Sequence, residues 1–71
     1  MRIIYPTKEE AMQNAIEYQK KNSGRIIENV TEDLLDEQTG KSIGTYGAVI
    51  VGNGNDNEPL GDSWESFYYE L

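Results

Sequence analysis

The sequence predicts an α+β fold, one N-terminal helix packed on a small antiparallel sheet of three to four strands. Three observations lead there. Thr7-Lys8-Glu9-Glu10 spells a helix start, and the apolar residues after it recur at helical spacing. Three later segments, at 25–36, 42–51 and 63–71, are rich in β-branched, aliphatic or aromatic side chains and are separated by Gly, Asn, Asp and Ser. Seventy-one residues suffice for one domain, 1–71, because domains cluster at roughly 100–150 residues and rarely split below that.

The first element is a short apolar run from Met1 to Tyr5, a strand or an arm beside one, stopped by Pro6. In the helix that follows, about residues 8–21, Thr7 is placed to accept from the amide of Glu10, and Glu10 to reach back to the amide of Thr7. Acids in the first turn and Lys20 and Lys21 in the last suit the helix dipole. Ala11, Met12, Ala15, Ile16 and Gln19 fall on one face, and Asn22-Ser23-Gly24 supplies a left-handed cap.

Arg25 to Asp36 reads as one long strand or two, whose apolar pairs, Ile26-Ile27 and Leu34-Leu35, mark a bulge. A rival reading starts a short helix at Thr31 and ends it at Gly40. The strand is preferred, because Asp36-Glu37-Gln38-Thr39-Gly40-Lys41 places its glycine as a hairpin loop does. Ser42 to Val51 is the returning strand, and Gly44 and Gly47 within it predict a bulge or the close approach of a ring. Residues 52–62 read as a flexible loop. Ser63 to Leu71 is an aromatic strand with Trp64, Ser66, Tyr68 and Glu70 on one face and Glu65, Phe67, Tyr69 and Leu71 on the other. One helix covers one sheet face, which leaves the other with little cover.

Charge is the most informative bulk property. The chain carries thirteen acids and six bases, net −7. Residues 1–24 hold four bases and three acids, whereas residues 25–71 hold two bases and ten acids. Direct binding of nucleic acid or anionic lipid is disfavoured, because both require Lys and Arg to displace counterions. A basic protein surface is the matching partner. No Cys and no His are present, so the ordinary zinc, iron–sulfur and haem ligand sets are absent and no cofactor is expected. The missing bases and thiols also argue against an enzyme. No apolar run reaches the roughly 20 residues of a membrane span, and the expected location is cytoplasmic.

Two sets of candidate site residues follow. Glu28, Glu32, Asp33, Asp36 and Glu37, with Asp56, Glu58 and Asp62 downstream, would make a spaced array of carboxylates on the scale of a phosphate backbone. The plainer reading is a solvated surface kept negative for solubility. Tyr46, Trp64 and Tyr68 are candidate contact rings, with Tyr5 a further candidate for exposure, since Trp and Tyr are enriched at binding hot spots; the plainer reading puts Trp64 or Phe67 in the core, Phe67 above all. Burying that face in a homodimer would also help so small a core. The loop Gly52-Asn53-Gly54-Asn55-Asp56-Asn57-Glu58 lacks both the dinucleotide spacing and the EF-hand spacing, so phosphate and calcium are minor readings for it.

In size, charge and lack of cysteine the chain resembles phage-encoded inhibitors of host nucleases and polymerases, a resemblance of kind carried by no motif. The expected function is a small acidic inhibitor, phage- or plasmid-borne, that blocks a nucleic-acid-handling defence protein such as a CRISPR effector or restriction nuclease by charge mimicry. The alternatives are a dimer that sequesters a nucleotide messenger and a regulatory subunit of a larger complex.

Overall fold

The computed structural model describes residues 3–71. Its elements in chain order are β1 (Ile4–Tyr5), α1 (Lys8–Asn22), β2 (Arg25–Leu35), β3 (Ser42–Gly52) and β4 (Trp64–Tyr69). They form one helix on a four-stranded sheet of order β1-β4-β3-β2. β2, β3 and β4 pair antiparallel, as expected, but β1 pairs parallel to β4, with Ile4 opposite Tyr68 and Tyr5 opposite Tyr69. No hairpin joins β1 to β4; the whole domain lies between them, so turn geometry does not impose an antiparallel sense. The Met1 and Arg2 part of the expected first strand lies outside the described residues.

The helix begins where its cap residue dictates. Thr7 has extended backbone angles, and its hydroxyl accepts from the Glu10 amide at 3.3 Å. At the far end the Ser23 amide donates to the Gln19 carbonyl, and the Gln19 side chain donates to the Gly24 carbonyl at 2.9 Å. Ala11 and Ala15 are fully buried, which lets the helix sit close on Val49 and Val51. Met12, Tyr18 and Phe67 pack around that centre, Tyr18 meeting Phe67 edge to face at 5.8 Å. Ile16, assigned to the core face, is only half-buried, while Tyr18 takes a core place. Full burial of one Val side chain contributes roughly 1.5–3 kcal/mol, a sizeable part of the total for a domain held by roughly 0.05–0.15 kcal/mol per residue.

Residues 31–40 are not helical: β2 runs on to Leu35, and the segment after it turns back. The register of β2 against β3 shifts between Ile27 and Val30, where Asn29 takes a positive φ of 60°, and again between Leu34 and Leu35. The first shift is the anticipated kind of irregularity, placed just after the Ile26-Ile27 pair. At the second, Gly44 opposite Leu34 has φ 130°, which a side chain disfavours. Gly47 answers to the other expectation. It lies directly opposite Tyr69, and a Cβ built on it would overlap the Tyr69 ring.

Opposed residues share a face, so the pairing divides the side chains. Val49, Val51, Ile26, Phe67 and Tyr69 face the helix. Ile4, Trp64, Ser66, Tyr68, Ile50, Ala48, Tyr46, Val30, Glu32 and Leu34 lie on the open face. That face is less bare than one-helix arithmetic implies, since Leu34, Ala48 and Ile50 are buried there. The long β2–β3 hairpin curls on itself, as twisted ribbons do, and its tip residue Glu37 lines the same hollow as Ile3 and Ser66.

Candidate functional site

The open face carries the aromatic candidates. Trp64, at the start of β4, is 51% exposed; Tyr46 and Tyr68 are half-buried. The Tyr68 hydroxyl donates to Glu32 Oε2 at 2.8 Å, although β3 lies between their strands. To make that bond the phenol crosses over Ala48, whose small side chain leaves the room, and Ala48 is fully buried beneath it. Tyr46 folds back over Gly44, and its hydroxyl reaches the Ile43 carbonyl at 3.5 Å. Glu32, Tyr46, Trp64 and Tyr68 are thus brought to one side of the sheet.

The remaining carboxylates do not form one row along β2. Glu32 and Asp33 are consecutive and point to opposite faces, and Asp33 accepts from the Ser42 hydroxyl across the hairpin. Asp36 belongs to the turn. Its Oδ1 accepts from the backbone amides of Gln38 at 2.7 Å and Thr39 at 3.0 Å, an Asx turn that sets the hairpin tip. Glu37 is exposed at that tip. Asp56, Glu58 and Asp62 lie in the 53–63 loop, which joins β3 to β4 at the end of β3 opposite the hairpin turn. Asp56, whose side chain is 97% exposed, meets Arg25 at 3.1 Å. Glu28 stands beside the helix start, 4.0 Å from Lys8, whose ammonium also donates to Asn29 at 2.9 Å.

The loop expected to be a flexible connector is closed on itself. The Asn53 amide donates to the carbonyls of Leu60 and Ser63, and the Asn53 side chain accepts from the Ser63 amide at 3.1 Å. Asn55 Oδ1 accepts from the amides of Asn57 and Glu58. The two asparagines account for the backbone donors at the loop's base and crown, so Asp56, Glu58 and Asp62 stand on a shaped support. Among the described residues no three acids converge as a metal ion requires, and no helix is long and apolar enough to cross a membrane.

The acidity of Asp36 is shifted by its turn. The Thr39 amide, then the Gln38 amide, stabilise its charged form and hold its pKa below the ordinary 3.8. A depressed folded value means the stabilisation is fully present above the unfolded pKa and is lost as pH falls through the folded one. Asp36→Ala is therefore expected to lower the urea midpoint near neutral pH, and the difference from the parent to shrink as the pH falls through the folded pKa of Asp36. An undiminished difference in acid would assign the effect to packing and not to the carboxylate.

Sequence reasoning missed the Tyr68–Glu32 bond and the Lys8 bridge to Asn29. Both join residues far apart in the chain, and only the strand order reveals them. The geometry defines a small α+β domain with one aromatic, partly covered sheet face and acids at the hairpin turn, in the 53–63 loop and along β2. Compared with known proteins, it matches no family model, no curated protein and no solved structure.

Proposed function

We propose that this chain is a small acidic inhibitor that binds the basic surface of a nucleic-acid-handling protein, such as a CRISPR effector or restriction nuclease, and excludes its nucleic acid. One observation carries the reading: no acidic side chain is buried, and among the described residues only two of the thirteen acids meet a base. Both pairs are exposed, where such contacts neutralise little. The negative field therefore reaches solvent almost undiminished. Acids at the hairpin turn, in the 53–63 loop and along β2, with rings on the open face, suit a partner that offers cations around an apolar centre.

The messenger-binding alternative has less support. The hollow at the β4 edge carries Glu37 and Glu65 as its charged lining among the described residues, and both repel a nucleotide phosphate.

The reading is tested by immobilising the protein and measuring binding to purified nucleases and CRISPR effectors from 50 to 500 mM salt, with and without competing duplex DNA. Exposed charges are screened within about 8–10 Å near physiological ionic strength, so affinity should fall steeply with salt and DNA should displace the target. Salt-independent binding that DNA leaves untouched would refute charge mimicry.

A further inference from the structure

A four-stranded open sheet has two edges, and in this protein they are treated differently. β2, one edge, is broken by the bulge between Ile27 and Val30, carries Glu28, Glu32 and Asp33, and has the Lys8 side chain reaching Asn29 beside the bulge. Bulges, charges and lysines are the devices that keep an edge from pairing. β4 has none of that irregularity. It pairs with β3 without a register shift from Trp64 to Tyr69, yet β1 covers only its last two residues.

The edge groups left over can be named from the ladder. The Glu70 amide points away from β3 and donates to the Tyr5 carbonyl at 2.9 Å. Along a strand the N–H and C=O of alternate residues point to the same side. Ser66 and Trp64 therefore direct their N–H and C=O to that same outer side, beyond Ile4, with no backbone partner among the described residues. Beside them lies a hollow of about 430 Å³ whose lining includes Ile3, Trp64, Ser66 and Phe67, together with Glu37 and Glu65. Ile3 and Trp64 are 61% and 51% exposed.

We infer that the open stretch of β4 is a docking edge for one extended basic segment of the partner, which adds to the sheet as a fifth strand. Backbone pairing with Ser66 and Trp64 supplies the register, Trp64 and Ile3 receive an apolar side chain, and Glu37 and Glu65 receive flanking Lys or Arg. The charges choose this occupant over a second copy of the chain. Two β4 edges meeting would bring Glu65 of each copy onto a surface of a molecule already at −7. This inference rests on the protein-binding reading above and specifies where on the surface the partner enters.

The test varies backbone donors at constant charge, and charge separately. The probes are a Lys-Val-Lys-Val-Lys-Val-Lys peptide, the same peptide N-methylated at every backbone amide so that neither edge keeps a donor, and a Glu-Val counterpart. Trp64 is the only tryptophan, so its fluorescence reports the site directly, and amide exchange of Ser66 gives a second readout. The parent peptide is expected to shift Trp64 emission and slow exchange at Ser66, N-methylation to weaken binding by at least about tenfold, and the Glu-Val peptide not to bind. Ser66→Pro, which removes the outward donor but keeps every charge, should lose binding equally. Prolines are tolerated at such edges, and the N-methylated peptide tests the same bond in the unaltered protein.

Equal binding of the methylated and parent peptides would overturn edge pairing while leaving the charge reading intact. Absence of parent-peptide binding at about 1 mM, or protection that appears at β2 or in a self-associated dimer, would overturn it as well.

Discussion

Gly47→Ala is expected to destabilise the domain by about 1–3 kcal/mol, a large fraction of what so short a chain has. The added methyl would occupy the space of the Tyr69 ring, which is 8% exposed and packs with Val49, Val51, Ala11 and Ala15. Neither side can yield easily. Tyr69 is held in register opposite Gly47 by the β3–β4 ladder, and the helix lies over the same cluster. A ring laid over a cross-strand glycine also restores the burial that glycine itself cannot supply. The check is a double-mutant cycle by urea unfolding. In a Tyr69→Ala background, Gly47→Ala should cost little or even stabilise, giving a coupling of about 0.5–3 kcal/mol. Simple additivity would show that the ring moves aside freely.

Neutralising the acids of the hairpin turn and the 53–63 loop is expected to weaken target binding far more than neutralising the same number on the helix. The comparison sets Glu37→Gln, Glu58→Gln and Asp62→Asn against Glu9→Gln, Glu10→Gln and Glu17→Gln. All six side chains are exposed, and each trio removes three of the thirteen negative charges. If net charge alone steered association, the two trios would behave alike. If the arrangement at the turn and the loop matters, the first trio should lose on the order of 100-fold in affinity at low salt, mostly through the association rate, and the second less than about tenfold. Asp36 is left out because its carboxylate holds the hairpin turn, and altering it would mix folding with binding.

How much was legible in advance follows from the distance over which each feature is decided. The helix was readable because its signals are local: the Thr7 hydroxyl meets the amide three residues on, and Ala11 and Ala15 repeat one turn apart. The hairpin was readable because Asp36 binds its own turn and Gly40 follows it. The packing of Tyr18 against the core was not readable, because the place for a ring near the helix end exists only once Phe67 of β4 is alongside. The parallel seat of β1 and the reach of Tyr68 to Glu32 depend on strand order, which no spacing in the sequence encodes. The 53–63 loop read as flexible because Asn and Gly favour turns singly. Its closure depends on Asn53 and Ser63 meeting across ten residues.

The acidic candidates were found by composition, yet their arrangement was not. Alternation along β2 suggested a row, but Glu32 and Asp33 part to opposite faces, and the bulge at Asn29 turns Glu28 aside toward Lys8. The rings were found by type, and the structure distinguishes among them: Phe67 goes to the helix side, Trp64 to solvent, Tyr68 to a bond with a carboxylate.

The kink at Asn29 has a consequence for assembly. A sheet with two pairing-competent rims can polymerise, each newcomer presenting a fresh rim to the next. Here one rim is bent and guarded by a lysine, so pairing is left to the opposite rim alone. Two copies of this chain cannot then stack rim to rim without end, since each offers one irregular edge to the next.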